Sequence, residues 1–273
     1  MGNTFNITLS EEHCGNSSQR PKSDGILIRG KRGKIFAQGY SPKGSGKAPT
    51  VILFHGIPGN ERNFDLAQYL RREGFGVITF HYSGCWGSEG EYRIAHTLED
   101  AETVIDFVLS QGCDWMRFDP ENLYAVGHSL GGFVAAHMMA RHREFKKGVL
   151  ITPCDIGRFA EMPKEGADGI HAMLAEAQDW LVSTSAEIME AELCEHREEY
   201  PLAGLAGKLA GRDLMVIGGT IDNVTPPQDH CEPLENAIRA IDGSKLLSRR
   251  LETDHGSSDY RLELCETVAK FLK

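Results

Sequence analysis

The stretch that decides the fold runs from Asn122 to Arg141: Asn-Leu-Tyr-Ala-Val126, then Gly127-His128-Ser129-Leu130-Gly131-Gly132, then an apolar run to Arg141. The first part is short and apolar, as a buried strand is. The last part has helical length and composition, so the middle is G-x-S-x-G at a strand–turn–helix junction. A serine at so sharp a turn must take a strained backbone conformation. Glycines two residues before and two after remove side chains that would collide across it. The helix then starts beneath the hydroxyl, and its dipole favours negative charge developing there. The competing reading makes Ser129 a simple helix N-cap in a Gly-rich turn.

Working outward, short β-branched runs alternate with longer amphipathic ones, the βαβ pattern of a mostly parallel sheet flanked by helices. Toward the N-terminus, Gly25–Tyr40 reads as a hairpin turning at Lys31-Arg32-Gly33, and Thr50–His55 as a buried strand. A helix over Glu61–Glu73, a strand over Phe75–Tyr82 and a helix over Ile94–Ser110 follow, the last with Leu98, Ala101, Ile105 and Val108 on one face. Toward the C-terminus, Lys147–Thr152 is a strand, and then the alternation breaks. Between Pro153 and Arg212 the sequence is helix-like, with Ile170, Met173, Leu174, Ala177 and Leu181 on one stripe and a second helix over Ala186–Glu198. It resumes with Asp213–Gly219, Pro227–Ile241, Lys245–Leu251 and Ser258–Leu272 as strand, helix, strand and helix. The expected organisation is a polar N-terminal extension over 1–24, an α/β core over 25–152 and 213–273, and a helical insertion over 153–212.

Three features beyond the serine turn carry a resemblance: His55-Gly56-Ile57-Pro58-Gly59 after a buried strand, Asp222 after the strand Asp213–Gly219, and His255 after the strand Lys245–Leu251. From about Gly25 to Lys273 the chain resembles the α/β-hydrolases. Phe54–Asn60 and Gly84-Cys85-Trp86-Gly87-Ser88-Glu89-Gly90 are most similar to stretches of bacterial feruloyl/cinnamoyl-type esterases and of the hydrolase domain of prolyl-oligopeptidase-like enzymes. The resemblance implies an α/β-hydrolase fold, with the 153–212 insertion as a helical cap roofing Ser129.

An activated serine needs a base within hydrogen-bond reach and a carboxylate to orient that base. The chain order Ser129, Asp222, His255 is the one this fold uses. His255 lies in the polar loop Thr253–Ser257; His230 competes but falls inside a predicted helix, and His128 is expected to pack beside the turn. Asp222 follows an apolar strand, so it should lie at the sheet's carboxyl edge. Its bland alternative is an Asx-turn before Pro227. Asp155, after the strand Lys147–Thr152, is the runner-up acid, and Asp254 reads as a loop aspartate. The oxyanion hole needs two backbone N–H groups. Leu130, after the nucleophile, and Ile57, in the loop after His55, are the candidates, with His55 bracing that loop. Trp86 is a candidate for the wall of a substrate pocket. Cys85 and Cys154 are expected near the site, with nothing to make either a nucleophile.

Composition sets the outer limits. The 273 residues carry 29 basic and 39 acidic side chains, a net charge of −10, so a nucleic-acid partner is not expected. No apolar run is long enough to span a membrane. The seven scattered cysteines form no C-x-x-C pair, and the polar N-terminus has no apolar signal core, so a cytoplasmic protein with reduced thiols is expected. No metal or organic cofactor is expected, and oligomeric state is left open. The favoured activity is hydrolysis of a small carboxylic ester through an acyl-enzyme. A small peptidase or amidase is the alternative, and a non-catalytic binding module the third. Only 24 residues precede the first predicted strand, too few for one propeller blade of about 40 residues, which places ester ahead of peptide. The insertion's Glu190, Glu192, Glu195, Glu198 and Glu199 read as the solvated face of a helix rather than an amine clamp.

Overall fold

The computed structural model describes residues 19–60, 63–159 and 164–273, with 159 and 164–168 described by backbone alone. The expected extension therefore lies mostly outside the described residues, as does the expected helix start at Glu61. The eight strands are β1 (Lys22–Gly30), β2 (Gly33–Ser41), β3 (Ala48–Phe54), β4 (Gly76–Phe80), β5 (Phe118–His128), β6 (Phe145–Ile151), β7 (Asp213–Gly219) and β8 (Leu246–Leu251). They form one sheet in the order β1-β2-β4-β3-β5-β6-β7-β8, antiparallel at β1–β2 and β2–β4 and parallel thereafter.

The helices are α1 (Phe64–Arg72), α2 (Ile94–Leu109), α3 (Gly112–Trp115), α4 (Leu130–Arg141), α5 (Ile156–Phe159), α6 (Lys164–Gln178), α7 (Ala186–Glu195), α8 (Ala206–Leu209), α9 (Pro227–His230), α10 (Glu232–Arg239) and α11 (Arg261–Leu272). The unbroken apolar strands are buried on both faces, and alternate side chains serve opposite cores. Val51, Leu53, Val126, Val149 and Ile217 pack with α1 and α11. Ile52, Phe54, Ala125, Leu150 and Val216 pack with α2, α4 and helices of the 153–212 stretch. That stretch faces the core through Ile170, Leu174, Ala177 and Leu181, the stripe its spacing predicts.

Differences from the sequence reading lie at element edges. β1 begins at Lys22, not Gly25, because the polar Lys22–Asp24 pairs in register with Gly39–Ser41 on an outer strand with one wet face. The helix expected over Pro227–Ile241 is two helices that meet at Cys231. The 153–212 stretch also makes one isolated bridge, Tyr92 with Ser183.

The sheet order places the site. After β3 the chain crosses to β4 on one side, and β5 returns to the other, so the connection reverses at β3/β5. Ligand crevices in parallel sheets form at the carboxyl edge beside such a reversal. The loops after β3 and β5 carry Gly56–Ile57 and Ser129.

Candidate active site

Ser129 sits between β5 and α4 with φ 56° and ψ −124°, a region that disfavours side chains. The glycines make this possible by close approach. A Cβ at Gly127 would lie 1.9 Å from the Gly131 carbonyl oxygen, and one at Gly131 would lie 2.0 Å from that of Phe54. Backbone bonds fix the turn further: the Ser129 N–H donates to Ile151 at 3.0 Å, and its carbonyl accepts from Gly132 at 2.8 Å and Cys154 at 2.9 Å. Strained non-glycine residues recur along this edge, with Trp86 at φ 39°, Thr152 at 40° and Ser257 at 52° in the loops after β4, β6 and β8. Such clustering is characteristic of functional sites.

Asp222 and His255 meet directly. The His255 Nδ1–H donates to Asp222 Oδ2 at 2.9 Å, which leaves Nε2 as the ring's acceptor. The other carboxylate oxygen accepts from the amides of Val224 at 2.8 Å and Thr225 at 2.9 Å. The Asx-turn and the histidine partner are thus one carboxylate used from both ends. Burial alone would raise the Asp222 carboxyl. Its bond to His255, the ring's charge and the Thr225 donors outweigh that and hold it at about 2. Thr225, which the sequence reading missed, brings its hydroxyl within 2.8 Å of Asp222 Oδ2 and 3.1 Å of His255 Nδ1. Its signal was present as the second threonine of the Gly218–Pro226 loop, hidden behind the turn pattern.

Ser129 joins this pair through neighbouring groups; a direct Ser129–His255 hydrogen bond is not among its contacts. The His255 carbonyl accepts from His128 Nε2 at 2.9 Å and from the Thr152 hydroxyl at 3.1 Å. Arg261 holds the other side of the histidine loop, donating to the Gly256 carbonyl at 2.9 Å while binding Asn63 and Asp65 at the start of α1. Apo catalytic hydrogen bonds are often long and tighten on substrate.

The competing residues have other partners. Asp155 accepts from the amides of Arg158 at 3.3 Å and Leu202 at 3.2 Å, and its own N–H donates to His230 Nδ1 at 3.1 Å. Burial pushes His230 down to about 4, so it stays a neutral acceptor. Asp254 binds the Ser258 amide at 2.8 Å as a loop aspartate. Burial pushes the Cys85 and Cys154 thiols up, away from the thiolate form a nucleophile needs.

Leu130 opens α4, and a first-turn amide has no partner inside its helix. Ile57 is brought in by Gly56, where a Cβ would lie 2.9 Å from the Ser129 Cβ. His55 bonds the Gly56 carbonyl at 2.7 Å and so braces this loop. Trp86 donates its indole N–H to the Pro58 carbonyl at 2.6 Å. One expectation fails: Glu192 is not solvated but buried, and it accepts from the Ala95 amide at 2.5 Å, Arg93 at 3.1 Å and the Tyr200 hydroxyl at 3.1 Å. It supplies the acceptor that the first turn of α2 lacks, since Arg93 at that N-cap gives no side-chain bond.

Residues 49–181 match the family described as alpha/beta hydrolase fold, and the strand order and serine turn above agree with it. The chain has the α/β-hydrolase fold. The chain is similar to an esterase from Pyrococcus furiosus, with a TM-score of 0.66 at 16% identity over 92% of this chain and 91% of that one. It is also similar to acylaminoacyl peptidase from Pyrococcus horikoshii, with a TM-score of 0.67 at 13% identity over 92% of this chain but 41% of that one. Among curated proteins, a proline iminopeptidase from Saccharolobus solfataricus is 26% identical over 43% of this chain, and the match spans only 36% of the peptidase's length. Among the described residues, no helix is long and apolar enough to cross a membrane.

Proposed function

We propose that the chain is a serine hydrolase that cleaves carboxylic esters. The observation that carries this reading is the 2.9 Å bond from His255 Nδ1 to Asp222, made beside a strained serine at a strand–helix turn. In this reading His255 Nε2 takes the Ser129 proton as Oγ attacks the ester carbonyl carbon. The carbonyl π electrons move to oxygen, and the amides of Leu130 and Ile57 bind that oxyanion. Collapse expels the alcohol, which takes the proton from His255, and leaves an acyl-Ser129 that water hydrolyses by the same sequence. Asp222 fixes the tautomer and stabilises the imidazolium. Trp86 lies against the substrate.

The 153–212 stretch is read as a cap over this site. Its support is the set of backbone bonds that pin Val182 and Thr184 to Gly84 and Tyr92, in the loop after β4. A peptidase reading draws on the two peptidase relatives. Against it, Glu192 already serves Ala95, Arg93 and Tyr200 and has no spare charge for a substrate amine.

A fluorophosphonate probe tests the class: it should label the wild type and not Ser129→Ala. Comparing kcat/KM for p-nitrophenyl esters and aminoacyl p-nitroanilides on one preparation tests the bond. Faster anilide turnover overturns the ester preference.

A further inference from the structure

Two indole rings stand in the open beside the loop that carries Ile57. Trp86 is 37% exposed and Trp180 is 59% exposed, with ring centroids 6.3 Å apart and planes inclined by 35°. They come from distant parts of the chain, Trp86 after β4 and Trp180 just past α6. Backbone bonds make their meeting a built feature. Val182 N–H donates to Gly84 at 3.0 Å, Tyr92 N–H to Val182 at 2.7 Å and Thr184 N–H to Tyr92 at 3.3 Å. Gly84 is required for this approach, because a Cβ there would lie 2.2 Å from the Val182 carbonyl oxygen.

Neither ring is explained by core packing. Trp86 holds φ 39°, a strained conformation for a bulky residue that persists only where the surroundings impose it. The constraint points toward the site. Its N–H is used on the Pro58 carbonyl, next to Ile57 and two residues from Gly56, which abuts Ser129. With that polar end satisfied, an apolar face of the indole is left for solvent or a ligand. Val182, 68% exposed, lies two residues past Trp180 on the segment whose backbone is pinned to Gly84 and Tyr92. Aromatic faces gain most from other rings and from bulky apolar groups.

We propose that Trp86, Trp180 and Val182 form a subsite for a ring-sized apolar arm of the ester. Given the hydrolase reading, on which this rests, the consequence is a preference for esters bearing a six-carbon ring over acetates of small alcohols. The arm belongs to either the acyl or the alcohol half, which the geometry treats alike and the test separates.

The test compares cyclohexanecarboxylate with acetate as 4-nitrophenyl esters, and cyclohexylmethyl with ethyl acetate, in wild type, Trp180→Ala and Trp180→Phe. In Trp180→Ala, kcat/KM for the ring-bearing member of one pair should fall roughly tenfold or more through KM, with the small ester within about twofold, and Trp180→Phe should restore most of it. Trp180 is a surface residue, so the variant should fold normally. An unchanged ring-to-small ratio in both pairs overturns the subsite. The hydrolase reading fails differently, by turnover that survives Ser129→Ala. Binding then tests the subsite alone. Cyclohexanecarboxamide should change the tryptophan fluorescence of Ser129→Ala saturably, and that change should weaken in Ser129→Ala/Trp180→Ala. No saturable change in Ser129→Ala, or an equal one in both proteins, overturns it.

Discussion

His128 donates its Nε2–H to the backbone carbonyl of His255 at 2.9 Å, and the two rings lie 5.0 Å apart. The residue before the serine therefore holds the residue proposed as its base. The histidine loop is held through its carbonyls, while the His255 ring is held separately, through Nδ1 on Asp222.

Removing that donor leaves Thr152 alone on the His255 carbonyl. His128→Leu should lower kcat by about 10–100-fold with little change in KM, since a small misplacement of a proton-transfer group is costly. A stopped assay on the folded variant measures this. A larger effect on KM than on kcat would remove the positioning role.

Ser129→Ala should lower kcat by roughly 10⁴–10⁶-fold without unfolding the chain. The strained φ of 56° adds a second expectation. Ser129→Gly should be more stable than Ser129→Ala by about 1 kcal/mol, because glycine takes that conformation without steric cost. Urea unfolding of the two inactive variants compares them directly. Equal midpoints would mean the turn stores no strain.

Asp222→Asn should lower kcat by about 10⁴-fold, as loss of the orienting acid does in comparable triads. Asp155→Ala should act on stability instead, costing about 1–3 kcal/mol by stripping the Arg158 and Leu202 amides of their acceptor. If Asp155→Ala proves the more damaging to kcat, the acid lies after β6 and the proposed assignment is wrong.

Acid sensitivity follows from buried histidines. Burial, aided by the His255 charge at His128, lowers His128, His137 and His230 to about 4. An unfolded histidine titrates near ~6.5, so between there and about 4 the unfolded chain binds more protons. Stability should fall as pH drops through that window and lose nothing more from this source below it. Asp222 acts later: its contribution is complete above ~3.9 and is lost as pH falls through its folded value of about 2. Denaturant unfolding at pH 7, 6 and 5 should show falling stability, with a shallower slope in His137→Gln. Stability that stays flat over this range would mean these histidines are not held neutral by the fold.

Much of this architecture is legible before any coordinates. The spacing of Gly127 and Gly131 around Ser129 fixes a strand and a helix on either side, and α4 occupies the predicted Leu130–Arg141. β7 likewise fills Asp213–Gly219. What stays hidden is the identity of long-range partners. Nothing in the acidic run from Glu190 to Glu199 marks Glu192 as the one that meets Ala95 and Arg93, because its environment comes from another helix. Trp180 shows no motif, since its significance is a distance to Trp86. β5 starts at Phe118 rather than Asn122, where Asp119, Pro120 and Glu121 interrupt the apolar run and the pairing with β3 slips register at Pro49/Thr50. Such irregular pairing leaves no periodic signal.

Glu192 has one consequence for engineering. Its carboxylate completes the end of α2, a core helix, from a position nearly a hundred residues later in the chain. A designer who shortens the stretch between β6 and β7 to open the site to bulkier molecules also removes an anion from a buried helix terminus and strands Arg93. The excision is then two operations, and the second is a wound to the core. Trimming that stops short of α7, or a glutamate-like acceptor reintroduced near Ala95, should leave a chain that still folds.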